Sequence, residues 1–139
     1  MAELPTKISL TIVTRERKII DVVVDEVVLP ASDGEIGILP GHTPLLTTLK
    51  IGQMRYRVGS TFHRLVLSWG FAEVLPDRVI VMAENARLPE EIDAAAAEEE
   101  MRQAERELAD LSSRDPQFAL VEARLEESIA MIGLHRDER

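Results

Sequence analysis

The hydrophobic pattern divides the chain into two grammars. In the first, Ile8, Leu10 and Ile12 alternate with polar or small residues, the two-residue period of a strand with one buried face. Arg17 to Leu29 is rich in Val and Ile at both parities, which predicts a strand pair or one long bent strand packed on two sides. Further strand-type runs are Gln53 to Val58, Phe62 to Ser68, Phe71 to Leu75 and Arg78 to Ala83. Turn signals separate them at Ser32-Asp33-Gly34, Gly41 to Pro44, Gly59-Ser60 and Pro76-Asp77. Many short strands with no helical period between them predict an N-terminal antiparallel β-sandwich or barrel.

The period changes near Leu88-Pro89. Pro89 suits the first turn of a helix, with Glu90, Glu91 and Asp93 favourable at its positive end. Ala97, Met101, Ala104, Leu108 and Leu111 then form one apolar stripe. Ser112 to Pro116 interrupts it, with Asp115 as the expected N-cap of a second helix and Pro116 at its first position. Phe118, Val121, Leu125, Ile129 and Ile132 line that helix, and Gly133 is expected to end it. The tight turn implies a C-terminal antiparallel two-helix hairpin. The expected domains are a sandwich over 1–87 and a hairpin over 88–139. The stripes are narrow, so the hairpin is expected to bury little surface, to be held by modest contacts and to be able to detach.

Composition narrows the reading. The 139 residues are 45% apolar and 29% charged, a balance that supports a folded core and excludes wholesale disorder. The absence of cysteine excludes disulfides, thiolate metal sites and a cysteine nucleophile. No apolar run approaches the roughly 20 residues that span a bilayer, so no direct membrane insertion is expected. The segment Met1 to Lys7 lacks the basic and apolar regions of a signal peptide, so none is expected. The formal net charge is -9. Met1 to Pro89 carries ten acidic and ten basic residues, whereas Glu90 to Arg139 carries fifteen and six, so all the net charge lies in the hairpin. That balance argues against nucleic acid or anionic lipid as partner.

The most informative stretch runs from Asp33 to Gly52: Asp33-Gly34-Glu35-Ile36-Gly37-Ile38-Leu39-Pro40-Gly41-His42-Thr43-Pro44-Leu45-Leu46, then Thr47-Thr48-Leu49-Lys50-Ile51-Gly52. Gly34 and Gly37 are expected to adopt conformations closed to other residues, Pro40-Gly41 to make a tight turn, and Pro44 to stop strand pairing. Leu45, Leu46 and Leu49 are expected to anchor the segment, leaving Glu35 and His42 as polar groups on a braced loop. Glu35 and His42 do not make a catalytic site, because no nucleophile or second convergent group accompanies them. His63 and His135 are lone residues, so no metal site is expected.

This stretch closely resembles the G-E-L/I-G-x-x-P-G-H-x-P-L-L-T-x-L-x-x-G signature of the epsilon subunit of bacterial-type F-type ATP synthase. Ile8 to Arg17 is similar to that family's first strand and turn. Ser68-Trp69-Gly70-Phe71-Ala72-Glu73-Val74 resembles its S/G-G-G-F-x-E-V strand, with Trp69 where glycine is more usual. The resemblance covers essentially the whole chain. It implies a non-catalytic central-stalk subunit of a proton-translocating ATP synthase, coupling c-ring rotation to the catalytic head through the gamma subunit. It implies a peripheral location on the cytoplasmic face of the bacterial inner membrane, as part of the F1 sector. By the same resemblance, Glu35, Pro40, Gly41 and His42 form the c-ring and gamma loop, with the acidic side chain fixing register against a basic c-ring loop. No cofactor is implied.

In that family the hairpin folds on the sandwich or extends along gamma toward the alpha/beta head, where it blocks hydrolysis. In some members ATP binds the folded hairpin through an I/L-D-x-x-R-A motif. Ile92, Asp93 and Ala97 match it, but Ala96 stands where the motif has arginine. A lost charge-assisted contact forfeits about 1.5–3 kcal/mol, so weak or absent ATP binding is expected. Arg102, Arg106, Arg114 and Arg124 correspond to the basic residues implied in inhibitory contacts. Carboxylates outnumber them, and Glu98–Arg102 is expected to pair at i,i+4, so inhibition is expected to be weak or conditional. Two other classes compete. A small-molecule binding module needs a convergent polar pocket between sandwich and hairpin. A hydrolase using Glu35 and His42 needs a site that the sequence lacks. Trp69 is expected to pack in the core or at an interface rather than to stack on a ligand.

Overall fold

The structure, a computed structural model, describes residues 4–137. Eight strands come first: β1 (Ile8–Val13), β2 (Lys18–Val24), β3 (Glu26–Ala31), β4 (Gly34–Ile38), β5 (Leu45–Leu49), β6 (Gly52–Val58), β7 (Thr61–Leu75) and β8 (Arg78–Arg87). They are ordered β2-β1-β8-β7-β5-β3-β4, with β6 pairing both β3 and β7. β1 and β8 run parallel, and the other pairs are antiparallel. The N-terminal sandwich expected from the alternating pattern is thus the observed one.

Its core is set by those alternating positions. Ile8, Leu10, Ile12, Leu29, Ile38, Leu65 and Leu67 are fully buried. Each contributes about 1.5–3 kcal/mol of burial. β5 and β6 pair along β7 in one continuous register, from Leu45 opposite Val74 through Gly52 opposite Leu67 to Val58 opposite Thr61. The inward positions change phase at one shared row. Along β7 they are Leu65 and Leu67 before Trp69, then Ala72 and Val74 after it; β8 changes between Ala83 and Ala86. Trp69 and Gly70, with φ of 45° and 148°, make that change by taking conformations outside the β region.

Of the two forms expected for the Arg17 to Leu29 run, the structure has two strands, β2 and β3, separated at Asp25, whose amide donates to the Arg57 carbonyl at 2.8 Å. Other expectations need correction. Phe62 to Ser68 and Phe71 to Leu75 are one strand, β7, bent in its middle. The signature segment is not a plain loop, because it contains β4 and β5. Pro44 immediately precedes β5 and does not stop its pairing. Gly34 has a positive φ of 128°, but Gly37 does not, so only the first needs glycine's freedom.

After β8, Pro89–Glu91 is a single 3-10 turn. The first long helix, α1 (Ala94–Ala109), starts later than expected, because Asp93 caps it by accepting from the Ala96 amide at 3.1 Å. α1 ends at Ala109 with Asp110 as its C-cap, so Leu111, expected on its stripe, lies beyond it. The second, α2 (Pro116–Asp137), begins as expected, with Asp115 accepting from the Gln117 amide at 2.8 Å. Gly133 does not end α2. A Cβ there would lie 2.9 Å from the side-chain Nε2 of Gln53 on β6, a flexible group that can give way. α2 is apolar on two sides because it lies between α1 and the outer face of β6 and β7. Val121, Ile132 and Leu134 are buried, whereas Ile129, expected on the stripe, is exposed. α1 packs chiefly on α2 through Ala97 and Ala104.

Candidate functional site

The Pro40-Gly41 turn forms as expected. The His42 amide donates to the Leu39 carbonyl at 3.2 Å, and Gly41 takes φ of 87°. The Gly41 amide donates to the Pro76 carbonyl at 2.8 Å, which ties this turn to the β7–β8 turn. His42 Nδ1 donates to the Thr43 carbonyl at 2.7 Å. Glu35 projects from β4 and accepts from Arg55 of β6 at 3.1 Å, reaching across β3. Glu35 and His42 are thus engaged separately and form no acid–base pair. Both remain accessible on a segment braced by β3 and β7.

Beside this segment, the outer side of β5 and the second half of β7 is bare. Leu46, Trp69 and Phe71 are 69%, 46% and 46% exposed, while their neighbours Leu49, Ala72 and Val74 point into the core. Trp69 and Phe71 border a groove of about 460 Å³ that runs past Arg15, Met82 and Glu84. Trp69 is the only non-glycine residue with positive φ among those described. Left-handed backbone costs a residue with a Cβ about 1–2 kcal/mol. Sequence reasoning placed Trp69 in the core or at an interface; at 46% exposure it is not a core residue, which leaves the interface alternative.

The three residues matching the nucleotide motif do converge. Ile92, Asp93 and Ala97 line a cleft of about 450 Å³ between the linker and the hairpin, together with Arg87, Arg124 and Met131. Ala96 lines it too, leaving an alanine where the motif has its cation. The carboxylate of Asp93 already caps α1, and Arg124 is held by Glu100 and Glu107 of α1 at 2.5 Å each. Those two hydrogen bonds hold the Arg124 guanidinium above its ordinary pKa.

The other hairpin arginines are not gathered into one patch. Arg102 and Arg106 both pair with Glu99, at 3.1 and 3.6 Å. The partner of Arg102 is therefore Glu99 at i−3, not the expected Glu98. Arg102 is the first cause, and Arg106 a lesser one, of a lowered Glu99 pKa. Arg114 is exposed in the interhelical turn.

Two further contacts, absent from the sequence reading, fix how the hairpin leaves the sandwich. Glu91 accepts from the Leu88 amide at 3.0 Å and from Arg17 at 2.8 Å. The Leu88 amide first, and Arg17 after it, lower the Glu91 pKa. Ser68 of β7 donates to Glu127 of α2 at 2.9 Å. Their partners are 74 and 59 residues apart, so no local pattern could reveal them.

Among the described residues, no group of three or more His, Cys, Asp or Glu side chains is arranged to hold a metal, and no helix is long and apolar enough to cross a membrane. A β-sandwich with a bare apolar face, a braced polar turn and a docked helical hairpin defines a class of accessory module. The model of the ATP synthase delta/epsilon chain β-sandwich domain matches residues 7–89. An ATP synthase epsilon chain 2 from Syntrophotalea carbinolica is 40% identical over 126 residues, covering 91% of each chain. The ATP synthase epsilon chain of Syntrophobacter fumaroxidans is 42% identical over 126 residues, covering 91% of this chain and 93% of its own. A chain in the Euglena gracilis mitochondrial ATP synthase structure, containing OSCP, F1 and c-ring, superposes with a TM-score of 0.82. At 24% identity over 95% of this chain and 83% of that one, it shows a shared fold. The chain belongs to the ATP synthase epsilon family, whose members are non-catalytic accessory chains of the complex.

Proposed function

We propose that this chain is a rotor subunit of the central stalk, joining gamma to the c-ring so that rotation reaches the catalytic head. The observation that carries the reading is the bare apolar face of Leu46, Trp69 and Phe71 on a chain of this family. A face of that kind is where a permanent partner excludes water. We assign it to gamma. The adjacent turn with Glu35, Pro40, Gly41 and His42 is assigned to the polar loops of the c-ring. Glu35 is already paired with Arg55 at one edge, so a basic c-ring loop would share its carboxylate rather than neutralise an isolated charge. The location that follows is peripheral, on the cytoplasmic face of the bacterial inner membrane.

The test is co-purification of this chain with the gamma subunit of its own complex. A stoichiometric complex is expected, weakened when Phe71→Glu or Leu46→Glu places a carboxylate on the face. A monomer that binds neither gamma nor the c-ring overturns the reading.

The hairpin's role follows at a finer level. Arg102, Arg106 and Arg124 are engaged with carboxylates of the hairpin itself, which supports weak or conditional inhibition at the alpha/beta head. Ala96 in the cleft wall and the capping role of Asp93 support weak or absent ATP binding.

A further inference from the structure

β7 must turn its alternation over at the row where β5 gives way to β6, and Trp69 and Gly70 carry that turn with φ of 45° and 148°. The two positions differ in what they tolerate. At Gly70 a Cβ would lie 2.0 Å from the Met82 carbonyl oxygen, so sterics dictate glycine. At Trp69 no such contact forces the residue, and glycine would make the same bend without strain. Core packing does not require the indole either, because Leu67 and Ala72 fill the inward positions on each side and Trp69 is 46% exposed. The chain thus keeps a bulky side chain in an unfavourable backbone conformation and presents it to solvent. A conformational outlier retained without a packing reason points to a function.

Its surroundings say which. Trp69 and Phe71 stand over a groove with Met82 in its wall, and with Arg15 and Glu84 supplying one charge of each sign. α2 covers the outer side of the first half of β7, contacting it through Ser68, and the second half has no such cover. Leu46, Trp69 and Phe71 together offer roughly 300 Å² of half-exposed apolar surface. A self-complementary dimer on this patch alone would fall short of the roughly 800 Å² per partner of a stable interface. A larger partner can cover the patch and continue onto neighbouring strands.

We propose that Trp69 is the specificity-determining anchor of the gamma-binding face, seating its indole in an apolar hollow of this chain's own gamma subunit, with Arg15 and Glu84 fixing orientation at the rim. Large aromatic anchors dominate interface energetics, and the flanking charges reject wrong partners. The inference rests on the assignment of this face to gamma made above.

The experiment compares the full chain with Trp69→Gly and Trp69→Ala, measuring thermal stability and the Kd for gamma of the same complex and for a gamma from another source. Trp69→Gly relieves the backbone strain, so its melting temperature is expected to equal or exceed that of the parent. Its Kd for the native gamma is expected to rise at least tenfold, and the ratio of foreign to native Kd to shrink. Trp69→Ala keeps the strained Cβ and is expected to lose the same affinity with no gain in stability. If the parent binds gamma and Trp69→Gly binds as tightly and as selectively, the anchor is overturned while the docking assignment stands. If the parent does not bind gamma, the docking assignment itself fails. Sedimentation showing a dimer that Trp69→Gly dissolves overturns the proposal in favour of a second copy of this chain.

Discussion

At Gly70 an added methyl group would overlap the Met82 carbonyl, and φ of 148° is closed to L side chains in any case. Gly70→Ala is therefore expected to destabilise the sandwich by about 2–4 kcal/mol, seen as a lower urea midpoint with an unchanged slope. The neighbouring Trp69 has the opposite sensitivity, since strain there comes from its own Cβ rather than from a neighbour. Ala96 is the other residue on which a property turns. Ala96→Arg would return a cation to the wall shared by Ile92, Asp93 and Ala97. A tenfold or greater gain in ATP affinity by isothermal titration is expected, about 1.5–3 kcal/mol for a charge-assisted hydrogen bond. Micromolar ATP binding by the unmodified chain would contradict the reading of the cleft.

The hairpin elements are held by identifiable groups. Losing the Asp93 cap in Asp93→Ala is expected to cost about 1 kcal/mol and to fray the start of α1, measurable by amide exchange at Ala94 to Ala97. Arg124 links the helices through Glu100 and Glu107, but its side chain is 38% exposed. Water screens such a pair, so a double-mutant cycle of Arg124→Ala with Glu107→Ala is expected to yield a coupling of only about 0.5–1 kcal/mol. The linker behaves differently because Glu91 is bound from two sides. Its pKa is lowered in the folded state, so its contribution is full above the ordinary glutamate value of about 4.3 and is lost as pH falls through the folded value. Acidification below about pH 4 is expected to loosen the junction between sandwich and hairpin. Glu91→Gln, read by amide exchange in 88–93, should remove most of that pH dependence.

For the whole molecule, α2 is the piece on which attachment of the hairpin depends, since α1 reaches the sandwich chiefly through it. Removing residues 90–139 would uncover Val66 and Ser68 on the outer side of β7 without touching the main core. The truncated sandwich is expected to stay folded with lower solubility. In the assembled complex the same truncation is expected to change ATP hydrolysis little, because Arg102, Arg106 and Arg124 are already occupied. Strong activation would contradict weak inhibition.

What could be read along the chain was whatever depends on near neighbours. The alternation of Ile8, Leu10 and Ile12, the Pro40-Gly41 turn, the Asp115-Pro116 helix start and the change of period near Pro89 determined a sandwich followed by a hairpin. Periodicity and turn chemistry act over a few residues, so they survive in one dimension. β4 was hidden because Gly34-Glu35-Ile36-Gly37-Ile38 offers only two apolar side chains, Ile36 and Ile38, between glycines that read as turn residues, and it becomes a strand by pairing with β3. The true start of α1 was hidden because Pro89 and Asp93 both offer valid start signals, and only the folded path chooses between them. The tertiary structure alone decided that Glu35 meets Arg55, that Arg124 binds two carboxylates of α1, and that Gly133 lies inside α2 beside the Gln53 side chain rather than at its end. It also decided that Trp69 faces outward, because the phase of β7 reverses at a row shared by three strands, a property that no single strand encodes.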